Sequence, residues 1–204
     1  MFKLYGLRMS NYYSLIKALL IEKGFDFEEI KAPPSQKADY LERSPMGKMP
    51  SLELNGVHLS ESIAIFHFLE AQRPGLMPAD PMAAAKVVEL VLHIMLNVEL
   101  VARRCLPELL FNQPVSDETK TEVARDLEKG IRAVRQLSSS SAYLAGDQLT
   151  VADFYLFYCL RPAAGMAKIA GVDLLSLCPE LEARCQALEK HPSIAKVSEE
   201  AARR

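Results

Sequence analysis

The sequence has no apolar run approaching the roughly 18 residues that a membrane-spanning helix needs. It also lacks an excess of either charge, because 24 lysine and arginine residues stand against 26 aspartate and glutamate residues, with a pI near 6.1. This balance gives no electrostatic reason to expect a nucleic acid or an anionic membrane as partner. The first residues do not have the pattern of a signal peptide. We therefore expect a cytoplasmic protein that binds neither membrane nor nucleic acid.

Cysteine pairs are absent as well. None of the four cysteines forms a C-x-x-C motif or lies near the N-terminus, and the four histidines are scattered without the spacing of metal ligands. This pattern fits neither a disulfide framework nor a zinc site. We expect no bound metal, and we interpret the cysteines as small buried apolar residues. They are Cys105, Cys159, Cys178 and Cys185.

The chain itself changes character about a third of the way along. Residues 1–75 alternate strand-like and helix-like segments in the order βαβ-α-ββα, which predicts an α/β domain with a parallel crossover in its first unit. Residues 76–83, rich in proline, are predicted to be a linker. Residues 84–204 are helical throughout, with a long helix predicted from residue 83. The fold class is therefore α/β followed by an all-helical domain.

The stretch KMPSLELNGVHLSES, residues 48–62, combines a strand that starts at Pro50 with a two-residue turn at Asn55-Gly56. A helix with apolar residues at helical spacing begins at Glu61. The backbone at Met49 and the helix start at Glu61 and Ser62 are then two polar groups that face each other. We expect them to bind a ligand with a peptide-like backbone and a charged end.

A second pattern, Thr150 followed by Val-Ala-Asp153, is a capping box at the start of a very apolar helix. Such a cap matters most when the helix is buried, because its first amides then cannot turn to water. We interpret it as structural and not catalytic.

Residues 44–70, SPMGKMPSLELNGVHLSESIAIFHFLE, and residues 145–154, AGDQLTVADF, together resemble two sequence blocks of the glutathione transferase family. Both occur in the right order over a chain of matching length. The resemblance is to the cytosolic, bacterial type, and it implies a thioredoxin-like domain in residues 1–75. It also implies that glutathione is the co-substrate and that the helical domain contributes the pocket for a small electrophile.

The resemblance also implies the glutathione site. Pro50 follows a cis peptide bond, and the Met49 backbone pairs with the cysteinyl part of glutathione as a strand would. Glu61 and Ser62 hold the γ-glutamyl end, with the ammonium at Glu61 and the carboxylate at Ser62 and the helix amides.

Two lysines complete the implied site. Lys48 matches the lysine or glutamine that the family carries before the proline. Lys37, or its neighbour Gln36, meets the glycyl carboxylate.

The group that activates the thiol lies, by the same resemblance, in or beside the turn GLRMSNYYS. Ser10, at the predicted start of a helix, is our first candidate, because a hydroxyl donor and a helix N-terminus both favour a thiolate. Tyr5, at the end of the first strand, is the second candidate and Tyr12 a weaker third; Asn11 could also donate through its amide. No cysteine lies in this turn, which disfavours the cysteine classes of the family.

We therefore expect a glutathione transferase that attacks small apolar electrophiles and forms a homodimer of the kind the family forms. A glutathione-dependent isomerase is an alternative, although its usual Ser-Ser-Cys run is absent from SNYY. A non-catalytic binding or regulatory protein that keeps the same fold is another.

Overall fold

A computed structural model describes residues 1–202, which divide into two compact units. Of the residues described, the first unit comprises Met1–Gly75 and residues 189–202, and the second comprises Leu76–Leu188. The sequence predicted a helical domain over residues 84–204, whereas the structure groups residues 189–202 with the first unit. The physical reason is that the last helix packs against the first helix of the chain.

The first unit contains a four-stranded sheet with the strand order β2-β1-β3-β4. Strand β1 pairs in parallel with β2 and antiparallel with β3, and β3 pairs antiparallel with β4. This arrangement confirms the predicted α/β domain, including the parallel pairing of its first two strands. The strands are β1 (Phe2–Gly6), β2 (Phe27–Lys31), β3 (Ser51–Leu54) and β4 (Val57–Ser60).

The rest of the regular structure is helical. The helices are α1 (Asn11–Glu22), α2 (Ala38–Leu41), α3 (Ser62–Gln72), α4 (Pro81–Leu92), α5 (Leu100–Ala102), α6 (Leu106–Phe111), α7 (Asp117–Leu137), α8 (Val151–Ala167), α9 (Pro179–Leu188) and α10 (Pro192–Ala202). A π-helical segment, His93–Glu99, joins α4 to α5, and short 3₁₀ turns lie at Arg103–Cys105 and Lys168–Ala170.

The hairpin between β3 and β4 turns at the two residues that the sequence indicated. Asn55 and Gly56 have φ angles of 52° and 80°, the left-handed values that a type I′ turn requires at both central positions. Leu54 and Val57 pair directly across this turn. The tight turn fixes the register of the two strands.

Helix α4 begins at Pro81, two residues before the predicted start of the long helix and inside the predicted linker. The Asp80 side chain accepts a hydrogen bond from the Ala83 amide at 2.8 Å, and Pro81 occupies the first helical position. Proline is favoured there because the amide it lacks would have no helical partner. The prolines of this segment thus start a helix instead of only separating two domains.

The π-helical segment lies close to helix α7 at Gly130. A Cβ atom built on Gly130 would stand 2.0 Å from the carbonyl oxygen of Asn97. Glycine therefore allows the backbone of the π-helical segment to approach α7 more closely than any other residue would.

The capping box at the start of α8 is present, and its carboxylate is the centre of the contacts. The buried Asp153 side chain accepts hydrogen bonds from the Leu144 amide at 2.7 Å, the Thr150 amide at 2.9 Å and the Thr150 hydroxyl at 3.2 Å. Burial raises the pKa of Asp153, against the lowering effect of these hydrogen bonds. The cap fixes both the helix start and the loop that precedes it.

The four cysteines are buried, as interpreted from the sequence, and none of them forms a disulfide bond. Within residues 1–202, no helix combines the length and apolar character required to cross a bilayer. The same residues contain no group of three or more His, Cys, Asp or Glu side chains arranged to hold a metal ion.

We expect Gly130→Ala to lower the free energy of unfolding by about 1–3 kcal/mol, because the added methyl group overpacks the contact with Asn97. Chemical denaturation measures the loss. Gly165→Ala is the matched control, since nothing lies within 4 Å of a Cβ atom built there. Equal effects of the two substitutions would contradict the close-approach account.

We expect Asp153→Ala to destabilise the protein by about 2 kcal/mol or more, because two buried amides lose their acceptor. Thr150→Ala should cost only about 1 kcal/mol, a typical loss for a cap residue. Denaturant unfolding of both variants checks the order. The central role of the carboxylate would be wrong if Thr150→Ala proved the more damaging change.

Candidate functional site

The register of the sheet brings three polar segments of the first unit to one end. Tyr5 pairs with Ser51, and Ser51 pairs with Ser60. The turn after β1, the residues before β3 and the residues after β4 therefore lie at the same end of the sheet, where these strands end or begin. These segments carry most of the predicted site residues, whereas Tyr5 lies on β1 itself and Lys37 lies before α2.

The segment before β3 contains a cis peptide bond between Met49 and Pro50, which confirms the expectation from the resemblance. The Met49 side chain lies near the end of β1, since its Cβ atom is 3.4 Å from a Cβ atom built on Gly6. The Tyr40 hydroxyl donates a hydrogen bond to the Lys48 carbonyl at 3.2 Å. Tyr40 therefore fixes the backbone next to the cis bond, a role that no sequence pattern indicated.

The loop before the cis bond is also tied to the segment that precedes α2. The Gln36 side-chain amide donates to the Met46 carbonyl at 3.2 Å, and the Ser35 amide donates to the Gly47 carbonyl at 3.1 Å. Lys37 and Lys48 are exposed at either end of this pair of segments. Their side chains are thus free to turn toward an anion in solvent.

The start of α3 has an unusual backbone. Glu61, the residue before the helix, has φ of 68° and ψ of 117°. Such a conformation costs a non-glycine residue about 1–3 kcal/mol and is found mainly at ligand sites and switch regions. Glu61 is exposed, whereas Ser62 is buried. The first amides of α3 form a place where an anion can bind.

Ser10 lies where the sequence predicted, at the N-cap of α1. Its hydroxyl oxygen accepts a hydrogen bond from the Tyr13 amide at 3.4 Å, and its own amide donates to the Leu7 carbonyl at 3.0 Å. A serine hydroxyl that accepts one hydrogen bond still has a proton to donate. Ser10 can therefore donate to an anion at the N-terminus of α1.

Tyr5, the second candidate, has a different environment. Its hydroxyl donates to the Glu53 carboxylate, and the Arg43 guanidinium stacks 5.1 Å from the ring centroid. Burial, together with the Glu53 carboxylate, raises the pKa of Tyr5 above its usual value. The Tyr5 hydroxyl already donates its hydrogen bond to Glu53, so it is not available to donate to a thiolate.

The first unit, a mixed sheet with a cis proline before β3 and a helix starting after β4, is a thioredoxin-like domain, and a helical unit follows it. Two family models match the chain: the N-terminal domain of glutathione S-transferase over residues 4–76, and its C-terminal domain over residues 108–200. The chain belongs to the glutathione transferase family.

Individual relatives agree with this. A glutathione S-transferase of Pseudomonas putida is 36% identical over 200 residues, covering 97% of this chain and 91% of the relative. A protein of Drosophila melanogaster described as probable maleylacetoacetate isomerase 2 is 36% identical over 166 residues, covering 76% of this chain and 69% of the relative. The crystal structure of glutathione transferase F2 from Populus trichocarpa has the same fold, with a TM-score of 0.80, 22% identity and coverage of 98% of this chain and 99% of that one.

We expect Tyr5→Phe to leave the pKa of enzyme-bound glutathione thiol unchanged, because the Tyr5 hydroxyl is engaged with Glu53. Stability should fall only slightly, since Glu53 keeps its 2.9 Å salt bridge with Lys3. Thiolate absorbance recorded against pH in the presence of saturating glutathione measures the thiol pKa. A clear rise in that pKa would make Tyr5, and not Ser10, the activating residue.

Proposed function

We propose that this protein is a glutathione transferase that binds glutathione at the end of the sheet in the first unit and attacks small apolar electrophiles with its thiolate. The observation that supports this most is the arrangement of the turn before α1, the cis bond at Met49-Pro50 and the strained start of α3 at one edge of the sheet. The 36% identity to the Pseudomonas putida glutathione S-transferase over nearly the whole chain supports it independently.

In this proposal the peptide-like backbone of glutathione adds to the sheet edge through the main chain of Met49. The γ-glutamyl carboxylate binds Ser62 and the first amides of α3, where the helix dipole favours a negative charge. Glu61 receives the γ-glutamyl ammonium. Lys48 and Lys37 approach the glycyl carboxylate from solvent.

The same proposal assigns thiol activation to Ser10. The free thiol is a poor nucleophile, so the protein must favour the thiolate. A hydroxyl that donates to the sulfur, at the N-terminus of a 12-residue helix, does so by hydrogen bond and by dipole. Tyr5 is the weaker candidate because Glu53 already accepts its proton.

We further propose that the helical unit supplies the pocket for the electrophile and that the protein acts in detoxification as a cytoplasmic homodimer. The resemblance to the cytosolic type of the family supports these points.

A glutathione-dependent isomerase is the second candidate function. The Drosophila melanogaster relative, described as a probable maleylacetoacetate isomerase, favours it. It would use the same thiolate, which adds to a double bond of the substrate, allows rotation and then leaves. The absence of a cysteine from SNYY makes it the second candidate and not the first.

The proposal is tested by calorimetric titration with glutathione, together with thiolate absorbance against pH. We expect Ser62→Ala to weaken binding by about ten- to a hundredfold, the worth of a hydrogen bond to a charged group. We expect Ser10→Ala to raise the thiol pKa by about one to two units, with little change in affinity at a pH where the bound thiol is protonated.

The function itself is then tested with the wild-type protein. Conjugation of an aryl or alkyl electrophile supports the transferase, whereas turnover of maleylacetoacetate without such conjugation supports the isomerase. Absence of glutathione binding would overturn both assignments.

A further inference from the structure

A buried cation lies beneath the turn that carries Ser10. The Lys17 side chain is only 3% exposed, and its ammonium contacts two carboxylates, Glu29 at 2.6 Å and Glu200 on α10. A buried charge needs close partners because the interior solvates it poorly. Two elements far apart in the chain, strand β2 and the last helix, therefore meet at one side chain of α1.

The Glu29 carboxylate accepts hydrogen bonds from two further residues. The Arg8 guanidinium donates to the same carboxylate oxygen as Lys17, at 3.0 Å, and the Tyr13 hydroxyl donates to the other oxygen at 2.6 Å. Burial alone would raise the pKa of Glu29, but these three hydrogen bonds outweigh it and lower the pKa. We name Arg8, Tyr13, Lys17, Glu29 and Glu200 the turn clamp.

The turn clamp reaches the proposed activating residue through Arg8, which precedes Ser10 by two residues. The Arg8 guanidinium also contacts the Glu200 carbonyl at 3.4 Å, and the Arg8 carbonyl accepts a hydrogen bond from the Ser14 hydroxyl at 3.3 Å. The turn is therefore tied to β2, α1 and α10. These ties restrict where the Ser10 hydroxyl can point.

We propose that Glu29 and Glu200 are positioning residues, which hold the turn so that the Ser10 hydroxyl meets the glutathione sulfur. The inference rests on the proposed role of Ser10. It makes α10 part of the apparatus that activates the thiol, although neither glutamate touches the thiol itself.

When either glutamate is neutralised, the loss of its charge and the loss of its positioning role change the thiol pKa in opposite directions. Removal of a negative charge near the site favours the thiolate, so by electrostatics alone the thiol pKa falls. Loss of the clamp moves the Ser10 hydroxyl away from the sulfur, so the thiol pKa rises. The direction of the change therefore separates the two effects.

The experiment measures thiolate absorbance against pH at saturating glutathione for Glu29→Gln and Glu200→Gln. In the first variant an amide nitrogen must face at least one of the three donors, and in the second a neutral amide replaces one of the two carboxylates that contact the Lys17 ammonium. We expect the thiol pKa to rise by about half a unit to one unit in each, which lowers the thiolate fraction about three- to tenfold at a pH well below the thiol pKa.

The matched control is Glu28→Gln, which removes the same charge from the neighbouring, exposed position on β2. Its side chain points to the opposite face of the sheet, so the thiol pKa should stay unchanged or fall slightly. Affinity for glutathione, measured by calorimetry at a pH where the bound thiol is protonated, should change less than twofold in all three variants, because the residues assigned to glutathione binding are intact.

An unchanged or lowered thiol pKa in Glu29→Gln and Glu200→Gln, with a raised one in Ser10→Ala, would overturn the clamp and leave the proposed function intact. No rise in Ser10→Ala would overturn the role of Ser10, and the clamp with it. If Glu29→Gln does not fold, Arg8→Gln loosens the turn without unpairing Lys17. A rise that persists at 1 M salt then supports positioning, because salt screens a purely electrostatic effect of this exposed arginine; a rise abolished by salt opposes it.

Discussion

Strand register is the constraint on which the rest of the first unit depends. Tyr5 pairs with Ser51, and Ser51 pairs with Ser60. This pairing brings the end of β1, the start of β3 and the end of β4 to one end of the sheet. A shift by one residue would turn every side chain of a strand to the other face. The tight Asn55-Gly56 turn prevents such a shift between β3 and β4, so a two-residue turn determines the geometry of a site it does not touch.

In each unit, one carboxylate accepts hydrogen bonds from several polar groups, but the kind of donor differs between the two units. In the helical unit, one carboxylate, Asp153, satisfies two amides and a hydroxyl at the start of an apolar helix. In the first unit, one carboxylate, Glu29, accepts from a lysine, an arginine and a tyrosine. Each of these two carboxylates accepts hydrogen bonds from several segments of the chain. A single substitution of Asp153 or Glu29 therefore disturbs all of those segments.

Local patterns in the sequence predicted what local physics controls. The turn at Asn55-Gly56, the N-cap at Ser10 and the cap at Thr150 and Asp153 each depend on neighbouring residues alone. The cis bond before Pro50 came from family resemblance and not from its neighbours. Contacts such as Tyr40 with Lys48, or Lys17 with Glu200, had no signal in the sequence because they join residues that only the folded chain brings together. The π-helical segment had none either, since its residues suit an ordinary helix equally well.

The membership of α10 in the first unit has a consequence for synthesis on the ribosome. That unit is discontinuous in sequence, and the whole helical unit is translated between its two parts. Until α10 emerges, Lys17 lacks the Glu200 carboxylate, and α1 lacks the helix that packs against it. Domains usually fold as they leave the ribosome, the N-terminal one first. Here the first unit stays an incomplete intermediate until α10, which is translated after the helical unit, completes it.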